Sequence, residues 1–525
     1  AIFFSAFTTV VGMGAMVFAQ HPALQSLSLV SIIGMFAVVL VAYTIEPVIF
    51  NLFIGNPAAK HLPPYTLWSI IGTAFFFIEF FIGCLLLTLL LLIMLPLPIA
   101  RRHKQYALSW CAHKLCRGIV YSYAGKKIYE GIDEHTFDRP AVIIANHASF
   151  IDILLMFALT PRIVMVTNKW VYHSPVFGHI IRYLDFHYTG DGYDTGTSHL
   201  QQKIDQGFSI VVFPEGTRSL DGQIHRFHKG AFYLAEQLHT DILPLLFYGP
   251  DKALPKRQSF HLHCTTLVMK ALPRITPDNT SFGSDYRERA KQIASYCREQ
   301  YAELCNRYNT PDNPYFYNRL VRNFIYKGPV LEWYTRIKVK MEDNYRLFDQ
   351  LIPRNAHVTD IGCGYGYLDY MLAMYAPDRK ILGIDYDADK IAVADNGFAR
   401  PKSLQFVCAD SLRYDIPYSD VFVLNDMLHY LARDEQRQLL LRCAAKLNEG
   451  GTIIVRDGNA SDNKHGVTRL TELFSTRILH FNKTVQSLQF ISVDDMYAIA
   501  HECGMKMTLH KNDRYTSNTI YILRK

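Results

Sequence analysis

Residues 142–152 read VIIANHASFID and residues 208–219 read FSIVVFPEGTRS. Each opens with a short apolar run of the kind found in strands buried on both faces. Each then breaks into polar residues: His147 and Asp152 in the first, Glu215, Gly216, Thr217 and Arg218 in the second. In an ideal helix five residues advance roughly 500°, which would put His147 and Asp152 roughly 140° apart. They can meet only if His147 lies on the turn before a helix and Asp152 in its first turn. Ser149, with an acid three residues on, has the form of a capping box and supplies such a start. The bland alternative makes Asp152 a favourable N-terminal acid and His147 an incidental loop residue.

The surroundings decide between them. From 105 to 310, strand-like runs (AVIIAN, FSIVVF, ILPLLF, LHCTTLVMK) alternate with helical ones, an α/β pattern. NHxxxxD, then FPEGTRS, then RFHKGAF with Lys229 and a hydrophobic strand carrying Pro244 resemble, in order and spacing, the lysophospholipid/glycerolipid acyltransferase family. Acyl transfer from a thioester to an alcohol needs a base for the hydroxyl proton. A histidine can take it and return it to the leaving thiolate. A neighbouring carboxylate fixes the imidazole tautomer and stabilises the imidazolium. The resemblance therefore implies His147 and Asp152 as a catalytic dyad. It makes Glu215, Gly216, Thr217 and Arg218 the acceptor site, with Arg218 on a phosphate. Acyl-ACP or acyl-CoA is the implied co-substrate, and membrane lipids the implied partners. Members acting on glycerol phosphates carry a second phosphate Arg between the two motifs. Here that stretch, YLDFHYTGDGYD (183–194), has none, which leaves the acceptor open.

A second α/β series runs over 331–525. HVTDIGCGYGYLDYML (357–372) reads as a strand, a glycine turn and a helix start, with Gly362, Gly364 and Gly366 as G-x-G-x-G. A dinucleotide binder would carry G-x-G-x-x-G. Asp385 ends a strand 19 residues after Gly366, and FVCAD (to Asp410), FVLNDMLHYL and GGTIIVRDG follow. The series resembles class I S-adenosylmethionine (SAM)-dependent methyltransferases, Rossmann-like in fold. This implies SAM as cofactor, Asp360 and the glycines at its methionine and ribose end, Asp385 on the ribose and Asp410 on the adenine. LNDMLHYL suits a small-molecule acceptor, whose hydroxyl Asp426 or His429 could activate. The last twenty residues read as an antiparallel hairpin.

The 525 residues are 50% hydrophobic and 19% charged, and the first hundred supply the apolar excess. Residues 2–19 and 27–50 are each long enough to cross a hydrocarbon core of about 30 Å. They resemble the last two helices of resistance-nodulation-division (MMPL-type) exporters, and residues 1–50 are expected to be that domain's end. The chain begins inside an apolar run with no signal-peptide pattern, which reads as the C-terminal part of a larger membrane protein. Residues 66–100 hold a third apolar stretch, expected as a third transmembrane segment or a hairpin bending near Gly83. Seven Lys/Arg and no acid lie between Arg101 and Lys127. Such clusters favour anionic lipid and the cytoplasmic side; nucleic-acid binding is not expected. Ten cysteines without a C-x-x-C pair point to reduced thiols and no structural metal. Residues 311–330, with Pro311, Pro314 and Gly328-Pro329 and with Arg/Lys and aromatics between them, are expected as a linker carrying a short helix able to touch membrane.

The expectation is a multidomain membrane enzyme: transmembrane helices, an α/β acyltransferase domain and a Rossmann-like methyltransferase domain. Together they resemble bacterial exporter/acyltransferase/methyltransferase proteins associated with aryl-polyene or flexirubin-type lipids. That resemblance implies the bacterial inner membrane, with the catalytic domains facing the cytoplasm. The rivals are a phospholipid-synthesis acyltransferase with an appended methyltransferase, and a non-catalytic membrane scaffold.

Overall fold

The computed structural model describes residues 2–123, 125–191, 197–258, 260–341, 344–458, 489–511 and 518–525. Helix α1 (Ile2–Ala15) leads into a helical run from Pro22 to Ala59. Within this run α2 (Pro22–Leu40), α3 (Glu46–Phe50) and α4 (Asn56–Ala59) are joined by two π-turns. Pro47 and Pro57 fall two residues past these turns. Neither has an N–H to donate, and the wider turns absorb the mismatch.

Helix α5 (Leu67–Met94) starts on a capping box: Ser69 N–H donates to Thr66 Oγ1 at 3.3 Å and Thr66 N–H to Ser69 Oγ at 2.9 Å. It then runs 28 residues without a break, so residues 67–94 form one helix and not the hairpin expected at Gly83. Gly83 serves close approach instead. A Cβ there would stand 2.5 Å from Leu115 of α6 (Arg101–Ser122), and its absence lets the two helices touch. Pro22–Ala59 and Leu67–Met94 are both long and apolar enough to cross a membrane. One face of α5 exposes Trp68, Phe75, Ile78 and Leu85, while Phe76, Cys84, Leu87 and Leu91 turn inward. Part of the basic cluster is spent on the protein itself. Buried Lys104 donates to the Leu95 carbonyl at 2.9 Å, and Arg101 pairs with Asp185 at 2.6 Å.

The first sheet comprises β1 (Lys127–Glu130), β2 (Val142–Ala145), β3 (Ile163–Thr167), β4 (His187–Tyr188), β5 (Ser209–Val212), β6 (Ile242–Tyr248) and β7 (Leu267–Ala271) in the order β1-β7-β6-β2-β5-β3-β4. Only the β6/β7 pair among these is antiparallel. The central strands β2 and β5 are wholly buried, as their unbroken apolar runs require, so their C-terminal ends open side by side.

The second sheet comprises β8 (His357–Ile361), β9 (Lys380–Asp385), β10 (Leu404–Cys408), β11 (Ser419–Asn425), β12 (Leu447–Gly458), β13 (Lys506–Lys511) and β14 (Asn518–Arg524), ordered β10-β9-β8-β11-β12-β14-β13. The last two pair antiparallel, as the C-terminal pattern predicts. The expected linker is core. Helix Pro314–Asn323 buries Phe316 and Leu320, and Phe316 and Phe324 set their rings edge-on to Tyr375 and Tyr367 of the second domain, centroids 5.2 and 5.0 Å apart. The aromatic residues that suggested a membrane contact find a protein partner instead.

Candidate active sites

The turn after β2 carries His147, and α7 (Ile151–Leu159) follows with Asp152 in its first turn. His147 Nδ1 lies 2.9 Å from Asp152 Oδ2. The same oxygen accepts the Ala148 N–H at 2.7 Å and the Ser149 N–H at 2.8 Å. Three donors thus fix one buried carboxylate oxygen, which in turn fixes the ring. The Ser149 hydroxyl is used differently from the expected cap on Asp152: it donates to the Leu254 carbonyl at 2.8 Å and accepts from Ile151 N–H at 3.3 Å. Asn146 ties the turn to β6 by exchanging two hydrogen bonds with Phe247, at 3.0 and 2.8 Å. With Nδ1 on the carboxylate, Nε2 is the nitrogen left for substrate.

The loop after β5 closes over this turn. Phe213 stacks on the His147 ring, centroids 4.3 Å apart. Glu215 is buried; its Oε1 accepts the His147 N–H at 2.9 Å and its Oε2 the His225 N–H at 3.2 Å. Burial pushes its carboxyl above the usual range, opposed by those two donors. Gly216 has φ +68°, and a Cβ there would press to 3.2 Å from the His228 ring. Gly216 and Thr217 are exposed and Arg218 half-buried, while buried Glu215 braces the dyad.

An apolar cavity of about 410 Å³ runs from the dyad into the fold. His147, Phe150, Phe213 and Met165 line it together with Phe80, Cys84 and Leu87 of α5 and Ala112, Leu115 and Cys116 of α6. Phe80 stands edge-on to Phe150 at 5.0 Å, so an apolar helix packs directly on the dyad's own turn.

In the second domain Gly362, Gly364 and Gly366 all take left-handed φ, at +79°, +58° and +72°. A Cβ at Gly362 would meet Met427 at 2.6 Å and one at Gly366 would meet Phe406 at 2.5 Å, but at Gly364 nothing lies within 4 Å. The loop therefore packs at both ends and opens in the middle, above the strand ends where a nucleoside cofactor would be cradled. Asp385 takes the Gly364 N–H and the Asp387 N–H, each at 2.8 Å. Asp410 is exposed and caps Leu412 N–H at 2.9 Å. Asp360 is buried beneath the loop beside Asp369. Burial raises both carboxyls above the usual range, and each is raised further by a neighbouring carboxylate. Of the two acceptor candidates, Asp426 is ion-paired with Arg456. His429 Nδ1 meets buried Asp457 at 2.6 Å, and Asp457 also accepts the His429 N–H at 3.0 Å. This second His–Asp pair was missed in the sequence because its members stand 28 residues apart, His429 on the 3-10 turn after β11 and Asp457 near the end of β12.

Residues 126–248 match the family model described as Acyltransferase, residues 358–451 that described as Methyltransferase domain, and residues 1–75 the MMPL family. A 1-acyl-sn-glycerol-3-phosphate acyltransferase of Limnanthes douglasii is 31% identical over 198 residues, covering 36% of this chain and 68% of that relative. The chain belongs to the acyltransferase family. Among solved structures, the 1-acyl-sn-glycerophosphate (LPA) acyltransferase PlsC of Thermotoga maritima aligns with TM-score 0.39 and 20% identity, over 45% of this chain and 97% of its own. CalO1, a methyltransferase in calicheamicin biosynthesis in its SAH-bound form, aligns with TM-score 0.29 and 15% identity, over 37% and 56%. The acyltransferase domain holds His147, Asp152 and the 215–218 loop at one site, and the methyltransferase domain gathers Asp360, the three glycines, Asp385 and Asp410 at the ends of β8, β9 and β10. Phe213, Asp369 and Asp457 are additions from the structure.

Proposed function

We propose that this chain transfers an acyl group from acyl-ACP or acyl-CoA to a hydroxyl of a lipid-type acceptor, and methylates a small-molecule hydroxyl with SAM. The observation that carries the reading is the His147–Asp152 pair in the wall of an apolar cavity partly built by α5. A cavity of this volume takes a drug-sized apolar ligand, and an acyl chain threaded past Phe80 and Leu87 would bring its thioester to His147. There Nε2 removes the acceptor proton as the oxygen attacks the thioester carbonyl. The C–S bond breaks, and the same proton passes to the departing thiolate.

For the second activity, Asp360, Asp385, Asp410 and the glycine loop would hold SAM, which supplies an electrophilic methyl group. His429, oriented by Asp457, would take the acceptor's hydroxyl proton. Acyltransferase, methyltransferase and exporter-type helices on one chain support a place in specialised lipid synthesis of the aryl-polyene or flexirubin type, at a bacterial inner membrane with both domains on the cytoplasmic side. A second reading, 1-acylglycerol-3-phosphate acylation, is favoured by the curated relatives. The test is membranes carrying the full chain, given labelled SAM, an acyl thioester and a lipid extract of producing cells. Products that lose the acyl mass with His147→Ala and the methyl label with His429→Ala support the reading. Label and acyl transfer that both survive these changes would overturn it.

A further inference from the structure

The 215–219 loop receives a positive charge from a segment remote in sequence. Lys256 Nζ donates to Thr217 Oγ1 at 3.1 Å and to the Arg218 carbonyl at 2.8 Å. The segment carrying it is pinned at several points. Gly249 turns with φ +100°, so close to Thr266 that a Cβ would stand 2.2 Å from the carbonyl oxygen. Asp251 closes on Gly222, where a Cβ would stand 2.6 Å from the carboxylate. The Leu254 carbonyl accepts the Ser149 hydroxyl at 2.8 Å. One short segment therefore grips the dyad's turn through Leu254 and the 215–219 loop through Lys256. The ammonium is held at a set place relative to His147.

Among the described residues, the acids near this loop are turned away from it or already engaged, Asp251 by Lys252 at 3.2 Å. Glu215 points inward to the His147 and His225 N–H groups. Asp221 accepts from Ser219 Oγ at 2.8 Å and meets His225 Nε2 at 2.9 Å. The stretch 183–191 brings no arginine, and its Asp185 is engaged by Arg101 and Lys203. Resting on the acyl-transfer reading above, we propose that Lys256 acts with Arg218 as a cationic site for a phosphomonoester on the acyl acceptor, holding the acceptor's hydroxyl at His147. Lysine here is a compact point charge, so the site selects charge without the planar, two-point geometry an arginine pair would impose. It serves a phosphate on glycerol or on another lipid alcohol equally, and it discriminates against neutral acceptors.

The test uses the full chain in membranes, as wild type, Lys256→Met and Lys256→Arg, and follows thiol release from the acyl thioester. The acceptors are lysophosphatidate and the monoacylglycerol of the same chain length. Loss of one charge-assisted contact predicts an increase of about tenfold in KM for lysophosphatidate with Lys256→Met, kcat changing little. KM for monoacylglycerol stays where it was, and Lys256→Arg recovers most of the loss. Equal weakening toward both acceptors would make Lys256 a loop clamp and overturn the proposal, as would a wild type that does not favour the phosphorylated acceptor. Thiol release that persists in His147→Ala would instead sink the acyl-transfer reading itself.

Discussion

Replacing Asp152 by Asn and by Ala separates what its charge does from what its shape does. Asp152 Oδ2 accepts from His147 Nδ1, Ala148 N–H and Ser149 N–H at 2.9, 2.7 and 2.8 Å. An asparagine has one oxygen, and the two backbone N–H groups select it for the Oδ2 position. His147 then still finds an acceptor for Nδ1–H, and its tautomer is kept. What is lost is the charge on that bond: a hydrogen bond to an ion is worth about 1.5–3 kcal/mol against about 0.5–1.5 for a neutral one. The difference of about 1–1.5 kcal/mol corresponds to a fall of about five- to twelvefold in kcat/KM. Alanine removes the acceptor for three donors at once and frees the tautomer. In serine-hydrolase triads a tautomer fault costs about 10⁴, so a loss of about 10³ or more is expected. The Asn amide nitrogen would take the buried Oδ1 position, which has no hydrogen-bond partner among the described residues. The assay is acceptor-dependent thiol release at varied acceptor concentration. Asparagine and alanine variants that fall equally far would refute the reasoning, because the backbone donors would then not be setting the ring.

Four further outcomes are expected. Ala112→Phe intrudes on the cavity wall, so donors with shorter acyl chains should gain relative to longer ones; each methylene excluded costs about 0.8 kcal/mol, about fourfold in donor KM. Gly364→Ala meets no neighbour but places a side chain at φ +58°, costing about 1–2 kcal/mol of stability and blocking the open face, so calorimetry should show SAM affinity lost while the acyl-transfer rate is kept. Asp457→Asn should lower methyl transfer about 10²-fold with SAM affinity unchanged, which radiolabel transfer and calorimetry together would read. Burial, then the Arg322 charge, pushes the fully buried His261 down to about 3. The unfolded chain takes a proton there below about pH 6.5, so stability present at neutral pH is lost as pH falls from about 6.5 toward 3, at about 1.4 kcal/mol per unit. His261→Phe keeps a ring against Tyr65 and should flatten the fall of Tm between pH 6 and 4.

The dyad was legible because a strand, a turn and a capping acid lie within eleven consecutive residues, and local chemistry dictates their meeting. The glycine loop was legible for the same reason. Gly83 was misread because apolar patterning marks a helix but not its neighbour; only the packed structure shows that Leu115 occupies the space a side chain would need. In the 311–330 stretch the short helix is present, but its prolines suggested a linker where Phe316, Leu320 and Phe324, at helical spacing, anchor the methyltransferase core. The cavity could not be read at all, since its walls come from residues between Phe80 and Ala231 on many separate elements. Asp457 was in view as part of VRDG, yet its partner is fixed only by the pairing of β11 with β12.

The most direct test of the central claim is thiol release from acyl-ACP and acyl-CoA by membranes bearing the full chain, wild type against His147→Ala. The acceptor is lysophosphatidate in one arm and a lipid extract of producing cells in the other, and the product is weighed by mass spectrometry. The account predicts release that requires both an acceptor and His147, with a product heavier by one acyl group. Release that ignores the loss of His147, or no release with either acceptor, would contradict it.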